Sequence, residues 1–212
     1  SGTFEKNKPY LHVRLGKNLK FSSPNAFFAE KKEIVDISYP GDIVGLHDTG
    51  NFKIGDTLTE GEKMMFKGIP SFSPEIFMEL ENLDPMKSKQ LDKGIHQLTD
   101  EGVAQMFIMQ PGNRKIVGTV GQLQFEVIQY RLINEYGANC RFTPRNFTKA
   151  VWITTTNQEQ LDSFKRAKAN YLATDKDGNM VFLAETQFLL QMAEQDYPDI
   201  TFHKNSEFKL EV

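Results

Sequence analysis

The chain has 212 residues and a formal net charge of −3 at pH 7, and 39% of its residues are hydrophobic. Basic and acidic residues are equal in number over Ser1–Phe66 and nearly balanced beyond it, which excludes a simple polybasic nucleic-acid binder. No apolar run reaches the length of a membrane span, and a single cysteine, Cys140, excludes a disulfide scaffold. These properties indicate a globular protein of a reducing, cytoplasmic compartment with one large or two modest domains.

Residues 1–66 have the pattern of β-structure. Short apolar or alternating runs such as YLHVRL and IVDISY lie between turns rich in Gly, Pro, Asn and Ser. About five strands at this spacing predict part of an antiparallel β-barrel, too few to close around a core of their own. Because the sequence begins at Ser1, directly before strand-like residues, we expect a truncated barrel whose unpaired edges could drive dimerisation.

Residues 67–76 are rich in proline and aromatic residues, which predicts a packed linker between two domains. Over residues 77–212 the pattern changes to the order βαββαβ, typical of a ferredoxin-like fold, and this order occurs twice. The two units cover about residues 77–144 and 149–204, and they are either tandem or fused. The predicted fold class is therefore α+β, a partial β-barrel followed by a ferredoxin-like region.

The helices of the first ferredoxin-like unit show clear periodicity. In the first helix Leu91, Ile95 and Leu98 share one face. The second helix is apolar on two opposite faces, so we expect the sheet to cover one face and a neighbouring domain to cover the other. These faces consist of Phe125, Ile128, Leu132 and Tyr136, and of Leu123, Val127 and Tyr130.

The stretch KIVGTVGQLQ places Gly118 and Gly121 between a strand and a helix, which are the ingredients of a phosphate cradle. The third glycine and the following acidic residue of a dinucleotide fold are missing, and the sequence contains no P-loop. We therefore interpret the pair as a structural corner in which Gly121 lets the strand turn sharply without a Cβ clash. This interpretation predicts that Gly121→Val destabilises the domain by about 1–3 kcal/mol.

No pattern predicts a catalytic, cofactor or metal site. The segment DKDGN (Asp175–Asn179) has acidic residues at EF-hand spacing, but its glycine comes two positions early, so a hairpin turn explains it better. Cys140 is interpreted as a half-buried structural thiol. The histidines have no ligand spacing; they are His12, His47, His96 and His203.

Two modest basic groups are candidates for contacts with RNA or a ribosomal surface, with solvated surface as the alternative for both. The first group has aromatic residues between its cations and is the better candidate, whereas the second lies on one helix. The first group is Arg141, Arg145 and Lys149, interleaved with Phe142 and Phe147, and the second is Lys165, Arg166 and Lys168.

Several segments resemble a known family. SYPGDIVGLHDTGNFKIGDTLTEGE (Ser38–Glu62) resembles the second half of the β-barrel domain II of translational GTPases. IVGTVGQLQFEVIQYRLINEYGANCRF is similar to the domain III signature of the elongation-factor-G type, with Leu123, Glu126, Arg131 and Leu132 at its positions. MMFKGIPSFSPEIF, LDPMKSKQLDKGIHQLTDEGVAQMF and YPDITF resemble the bacterial release factor 3 family of class-II peptide chain release factors, along essentially the whole chain.

That resemblance implies a GTPase that binds the ribosome after peptide hydrolysis at a stop codon and helps to release class-I release factors. In the family, GTP or GDP and Mg²⁺ bind to an N-terminal G domain, which this sequence lacks, so we expect a non-catalytic chain without a cofactor. The expected partners are small-subunit rRNA, a ribosomal protein surface, class-I release factors indirectly and the missing G domain. The alternatives are a stand-alone ferredoxin-like module that binds RNA or a metabolite, and an enzyme with a ferredoxin-like cleft.

Overall fold

The computed structural model describes residues 2–28, 31–47, 52, 55–64 and 73–206. The chain divides into two compact units, Ser1–Ile69 and Pro70–Val212, and each buries its own apolar side chains. Most of the predicted linker, residues 67–72, lies outside the described residues.

The first unit consists of short strands that pair only in the antiparallel sense where the structure describes them. Its strands are β1 (Phe4–Glu5), β2 (Tyr10–His12), β3 (Lys17–Leu19), β4 (Asn25–Phe28), β5 (Lys31–Ile34), β6 (Ile37–Ser38), β7 (Val44–Gly45) and β8 (Leu58–Thr59). They form the pair β1-β6 and two three-stranded sheets in the orders β3-β2-β8 and β5-β4-β7. No closed ring of strands occurs among these residues, which agrees with the predicted partial barrel.

A small core in the first unit is built from aromatic and polar side chains. The rings of Phe4 and Tyr10 stack with their centroids 5.0 Å apart. His12 is fully buried, and its Nε2 lies 3.1 Å from Oδ2 of Asp56, whose Oδ1 accepts a 2.6 Å hydrogen bond from Nε of Arg14. Because a buried polar group needs a partner, this histidine acts as a structural group within the core.

The second unit contains twelve regular helices and strands within residues 73–206. The first half comprises β9 (Ile76–Asn82), α1 (Ser88–Asp100), β10 (Gln105–Met109), β11 (Lys115–Thr119), α2 (Gln122–Asn134) and β12 (Cys140–Arg145). The second half comprises β13 (Lys149–Thr154), α3 (Gln158–Ala167), β14 (Leu172–Asp175), β15 (Met180–Ala184), α4 (Gln187–Asp196) and β16 (Thr201–His203). Each half therefore has the predicted order βαββαβ.

The two halves share one eight-stranded antiparallel sheet in the order β12-β9-β11-β10-β14-β15-β13-β16. Within each half the strand order is fourth, first, third, second, which is the order of a ferredoxin-like sandwich. The halves join where β10 pairs with β14, with Phe107 opposite Asp175. The two units predicted from the sequence are therefore fused.

The shared sheet is curved, so that the two halves pack against each other through the same face of the sheet. Phe107 on β10 and Trp152 on β13 are three strand intervals apart, which is about 14 Å in a flat sheet, yet their ring centroids are 6.1 Å apart. The enclosed face forms a core between the two halves. The outer faces carry separate cores, covered by α1 and α2 in the first half and by α3 and α4 in the second.

Helices α1 and α2 bury the faces that periodicity predicts against the sheet. Leu91, Ile95 and Leu98 of α1 and Phe125, Ile128 and Leu132 of α2 are buried. The two helices approach closely at Gly94, where a Cβ would lie 2.8 Å from Cγ of Tyr136. A glycine at this position therefore sets the separation of the two helices.

The second apolar face of α2 is not covered within the second unit, so its cover by a neighbouring domain stays a prediction. Leu123, Val127 and Tyr130 are 69%, 47% and 67% exposed. The opposite face of the helix, with Phe125, Ile128 and Leu132, is the one that packs in the core of the first half. Apolar periodicity thus predicted which residues share a face, but it did not predict whether that face is covered.

Candidate functional site

Two backbone amides at the corner around Gly118 and Gly121 are already engaged by a side chain. The side-chain oxygen Oε1 of Gln124 accepts hydrogen bonds from the backbone N–H groups of Val120, at 2.9 Å, and Gly121, at 3.2 Å. A bound anion at the entry to α2 would have to compete with Gln124 for these two amides. The structural interpretation of the corner is therefore favoured over phosphate binding.

The role assigned to Gly121 requires correction. Its backbone is extended, with φ −140° and ψ 152°, and a Cβ at this position would meet no heavy atom within 4 Å. Thr186 precedes α4 at the equivalent position of the second half and has nearly the same backbone, with φ −141° and ψ 155°. A β-branched residue therefore adopts this conformation, and Gly121 is not required for the turn.

The close approach occurs instead at Gly118, in the strand before the corner. A Cβ on Gly118 would lie 2.6 Å from Cβ of Pro74 and 3.2 Å from Cε2 of Phe107. Pro74 lies just before β9, so Gly118 lets the chain that enters the second unit cross the sheet at short range. This residue has a steric reason to be glycine, whereas Gly121 has none.

Arg141 and Arg145 on β12 are engaged in ion pairs with the neighbouring strand β9. Nε of Arg141 donates to Oε2 of Glu81 at 3.1 Å, and Nε of Arg145 donates to Oε2 of Glu79 at 2.7 Å. Hydrogen bonds from Thr143 and Arg141 lower the pKa of Glu81, so this carboxylate stays charged beside its partner. Both guanidinium groups are thus paired within the fold, and Glu79 also lies 3.7 Å from Nη1 of Arg114.

The aromatic residues between these arginines belong to the cores. Phe142 packs edge-on against Phe125 with a centroid distance of 5.1 Å, and Phe147 packs edge-on against Phe77 at 6.2 Å. Neither ring is placed to stack on a nucleotide base. The aromatic residues therefore give no support to this group as an RNA contact, and a ribosomal contact of these arginines stays a prediction.

The remaining basic candidates have a different environment. Lys149 and Arg166 are exposed, and Lys165 and Lys168 are half-buried at the C-terminal end of α3. Within the described part of the chain, no ion pair involves any of these four residues. Their charges remain free for an external anion.

Arg131, which the family signature contains, ties the ends of two helices together. Its Nη1 donates to Oε2 of Glu101 at 2.6 Å, and its Nε donates to Oε1 of Glu135 at 3.0 Å. The hydrogen bond from Arg131 lowers the pKa of Glu101, and both carboxylates raise the pKa of Arg131. Sequence spacing could identify the pair with Glu135 on the same helix, but not the contact with α1.

The hairpin interpretation of Asp175–Asn179 is confirmed. Gly178 has a φ of +80°, and Asp175 Oδ1 accepts backbone hydrogen bonds from Asp177, at 3.0 Å, and Asn179, at 2.8 Å. Its Oδ2 accepts from Nε1 of Trp152 at 2.8 Å, which fixes the turn to the core between the halves. Both oxygens of Asp175 are thus used by the fold.

Cys140 is buried, and burial raises the pKa of its thiol to about 11. A neutral thiol is a poor nucleophile and metal ligand, in agreement with a structural role. Among the described residues, no group of three or more His, Cys, Asp and Glu side chains could hold a metal ion. No helix in this part of the chain is long and apolar enough to cross a membrane.

Comparison with known proteins identifies both parts of the chain. The family model for class II release factor RF3, C-terminal domain, matches residues 66–194, which is more than half of the chain. The family model for elongation factor G domain 2 matches residues 1–61. Both models describe parts of translation factors other than a GTPase domain.

A solved structure shares the fold. The crystal structure of a protein from Thermus thermophilus is similar with a TM-score of 0.57 and 15% sequence identity, over 74% of this chain and 26% of that protein. The chain thus spans about a quarter of the length of this similar structure. On the family match over residues 66–194, the chain belongs to the class II release factor RF3 family and contains its C-terminal domain.

Proposed function

We propose that the chain is the non-catalytic, ribosome-docking part of a translation termination factor that acts in the cytoplasm. The observation that carries this proposal is the order of the two family matches, elongation factor G domain 2 followed directly by the C-terminal domain of class II release factor RF3. In a full-length GTPase of this type, the chain would help to release class-I release factors after peptide hydrolysis at a stop codon.

A docking role without chemistry agrees with the contacts of the described residues. The amides at the start of α2 are occupied by Gln124, and Asp175 is used by its own turn and by Trp152. The thiol of Cys140 is held neutral. In this proposal GTP or GDP and Mg²⁺ bind to a separate G domain, which the chain would couple to the ribosome.

Within this proposal the two units have separate tasks. Residues 1–66, as the C-terminal part of a domain II barrel, would face small-subunit rRNA. Residues 77–212, as domain III, would face rRNA and a ribosomal protein surface, with residues 67–76 as a packed connection to the barrel part. The relation to class-I release factors would be indirect, through the state of the ribosome.

Ribosome binding and termination assays with the purified chain test this proposal. We expect the chain to co-sediment with ribosomes halted at a stop codon and not to accelerate the release of a labelled class-I release factor. A titration with a fluorescent GTP analogue should show no binding above background. Failure to co-sediment, or micromolar binding of the nucleotide, would contradict the proposal. Equal affinity for unrelated RNA and for ribosomes would favour a stand-alone RNA-binding module instead.

A further inference from the structure

We propose that the end of the second unit at which α3 stops and α4 starts binds the phosphate backbone of RNA. The cations that would do so are Lys149, Lys165, Arg166 and Lys168, which we call the α3-end cluster. This inference rests on the proposed ribosome-docking function, because it assigns the surface that makes the contact.

Strand register places the members of the cluster at the same end of the sheet. Lys149, the first residue of β13, is opposite Ala184, the last residue of β15, and α4 begins three residues later at Gln187. The backbone N–H of Thr148 donates to the carbonyl of Ala184 at 2.8 Å, which keeps this end closed. The start of β13 and the start of α4 are therefore neighbours.

The last turn of α3 lies at that end as well. A 3-10 turn, Ala169–Tyr171, leads from α3 into Leu172, and both Leu172 and Val151 are opposite Phe182 of β15. The ring of Phe164 on α3 lies 5.5 Å from that of Phe182, which fixes the helix on the sheet. Leu172, the first residue of β14, is therefore level with Val151, which is two residues after Lys149. The end of α3 thus lies at the same end of the sheet as Lys149.

The α3-end cluster has little internal compensation. Lys165 and Arg166 occupy the last turn of α3, where the helix dipole favours a positive charge, so they are stable there without a carboxylate partner. Among the described residues, the connection between β15 and α4 at this end carries one acidic residue, Glu185. By contrast, Arg141 and Arg145 each have a glutamate partner across the strand pair.

The opposite end of the same half is acidic. Asp199 follows α4, and its Oδ2 accepts a 2.8 Å hydrogen bond from Nδ2 of Asn157, the N-cap of α3, so this end also joins the two helices. The acidic residues of this end are Glu159, Glu194, Asp196 and Asp199, whereas Asp162 lies in the middle of α3. A body with charges separated in this way orients its basic end toward a polyanion, although the net charge of the whole chain is −3.

An exposed aromatic residue accompanies the cations and favours RNA over another anionic partner. Phe188 lies in the first turn of α4 and is 69% exposed. Exposed aromatic rings beside cations provide stacking positions for unpaired bases, and stacking tolerates any base sequence. The combination fits single-stranded or loop RNA, which offers both phosphates and accessible bases.

The test measures the salt dependence of RNA binding by the whole purified chain. The probe is a fluorescein-labelled oligouridylate of about a dozen nucleotides, and anisotropy is recorded between about 50 and 200 mM KCl. The variant is Arg166→Gln/Lys168→Gln. The matched control is Lys89→Gln/Lys93→Gln, which removes two exposed helical charges that also have no ion pair in the described residues.

We expect the plot of the logarithm of the association constant against log salt to be less steep for the variant by about 1.4. Each lost phosphate contact on a single strand reduces the steepness by about 0.7. If the variant and the unmodified chain bind equally at 1 M salt, this difference in slope makes the variant bind about 25-fold more weakly at 0.1 M salt. The control should keep the slope of the unmodified chain. An unchanged slope in the variant, an equal loss in the control, or no binding by the unmodified chain would overturn the assignment.

Co-sedimentation with ribosomes separates this inference from the proposed function. If the unmodified chain and the α3-end variant bind ribosomes equally, the surface is wrong and the docking function stands. If the unmodified chain does not bind ribosomes, the docking function fails, and the slope in oligouridylate still decides whether the cluster contacts phosphates.

Discussion

Replacing Gly121 with serine should stabilise the second unit, the opposite of what a strained corner implies. Gly121 is the N-cap of α2, and its extended backbone matches that of Thr186 at the start of α4. Thr186 Oγ1 accepts a 3.1 Å hydrogen bond from the backbone N–H of Leu189. A serine at 121 would offer the same acceptor to the backbone of Gln124, whose side chain already binds the N–H of Gly121. The substitution would therefore complete a capping box.

The expected magnitude follows from two contributions. Restricting the unfolded chain by replacing glycine stabilises by about 0.4–1 kcal/mol where the native conformation is compatible. A serine cap adds a few tenths of a kcal/mol over glycine, about 0.3. Their sum, about 0.7–1.3 kcal/mol, raises the melting temperature of a unit of this size by about 1–5 °C. No steric loss opposes the gain, since no heavy atom lies within 4 Å of the new Cβ.

Urea and thermal unfolding followed by tryptophan fluorescence would measure this change. Trp152 is the single tryptophan, and it is buried between the two halves of the second unit, so its emission reports on that unit. Gly118→Ala is the matched control, because its Cβ would collide with Pro74 and should destabilise the unit by about 1–3 kcal/mol. A loss of more than about 1 kcal/mol in Gly121→Ser, the size typical of core strain, would refute the reasoning.

Three further changes test the packing and the buried groups. Gly94→Ala should lower the free energy of unfolding by about 1–3 kcal/mol, as measured in urea, because its Cβ would lie 2.8 Å from Tyr136. Asp175→Ala should lower the free energy of unfolding by about 1–3 kcal/mol, since the N–H of Trp152 loses its buried acceptor. Asp175→Asn keeps an acceptor oxygen and should lower the free energy of unfolding by less. Burial raises the pKa of Cys140 to about 11. Stability should thus be complete below the unfolded thiol's pKa of about 8.5 and fall as the pH rises toward 11, and Cys140→Ala should remove this dependence.

Local patterns in the sequence determine much of the fold. The spacing of Leu91, Ile95 and Leu98 predicts the buried face of α1, because periodicity reflects one helix against one sheet. The segment Asp175–Asn179 predicts its own hairpin for a similar reason, since a glycine with positive φ defines the turn locally. Features of this kind depend on residues that are neighbours in the chain.

Features that depend on distant residues could not be predicted in the same way. The pairing of β10 with β14 joins residues about seventy positions apart, with Phe107 opposite Asp175, and it decides between tandem and fused units. The steric need for glycine at 118 arises from Pro74, which packs against it from an earlier segment. Gly118 and Gly121 look equivalent in the sequence, because the sequence does not show which residues pack against each of them.

The same reasoning explains why the basic candidates cannot be ranked from sequence. Arg141 lies opposite Glu81 in the strand register and Arg145 reaches Glu79 diagonally, so both arginines pair with β9 at the sheet edge rather than present free cations. Lys165 and Arg166 lie at a helix end, where backbone carbonyls compensate their charge and leave the side chains free. The chain uses one strand order twice, yet the arginines of β12 in the first half have glutamate partners, whereas the cations at the end of α3 in the second half have none among the described residues. Duplication of a fold supplies the framework, and the pairing of charges within each half determines which surface can bind a polyanion.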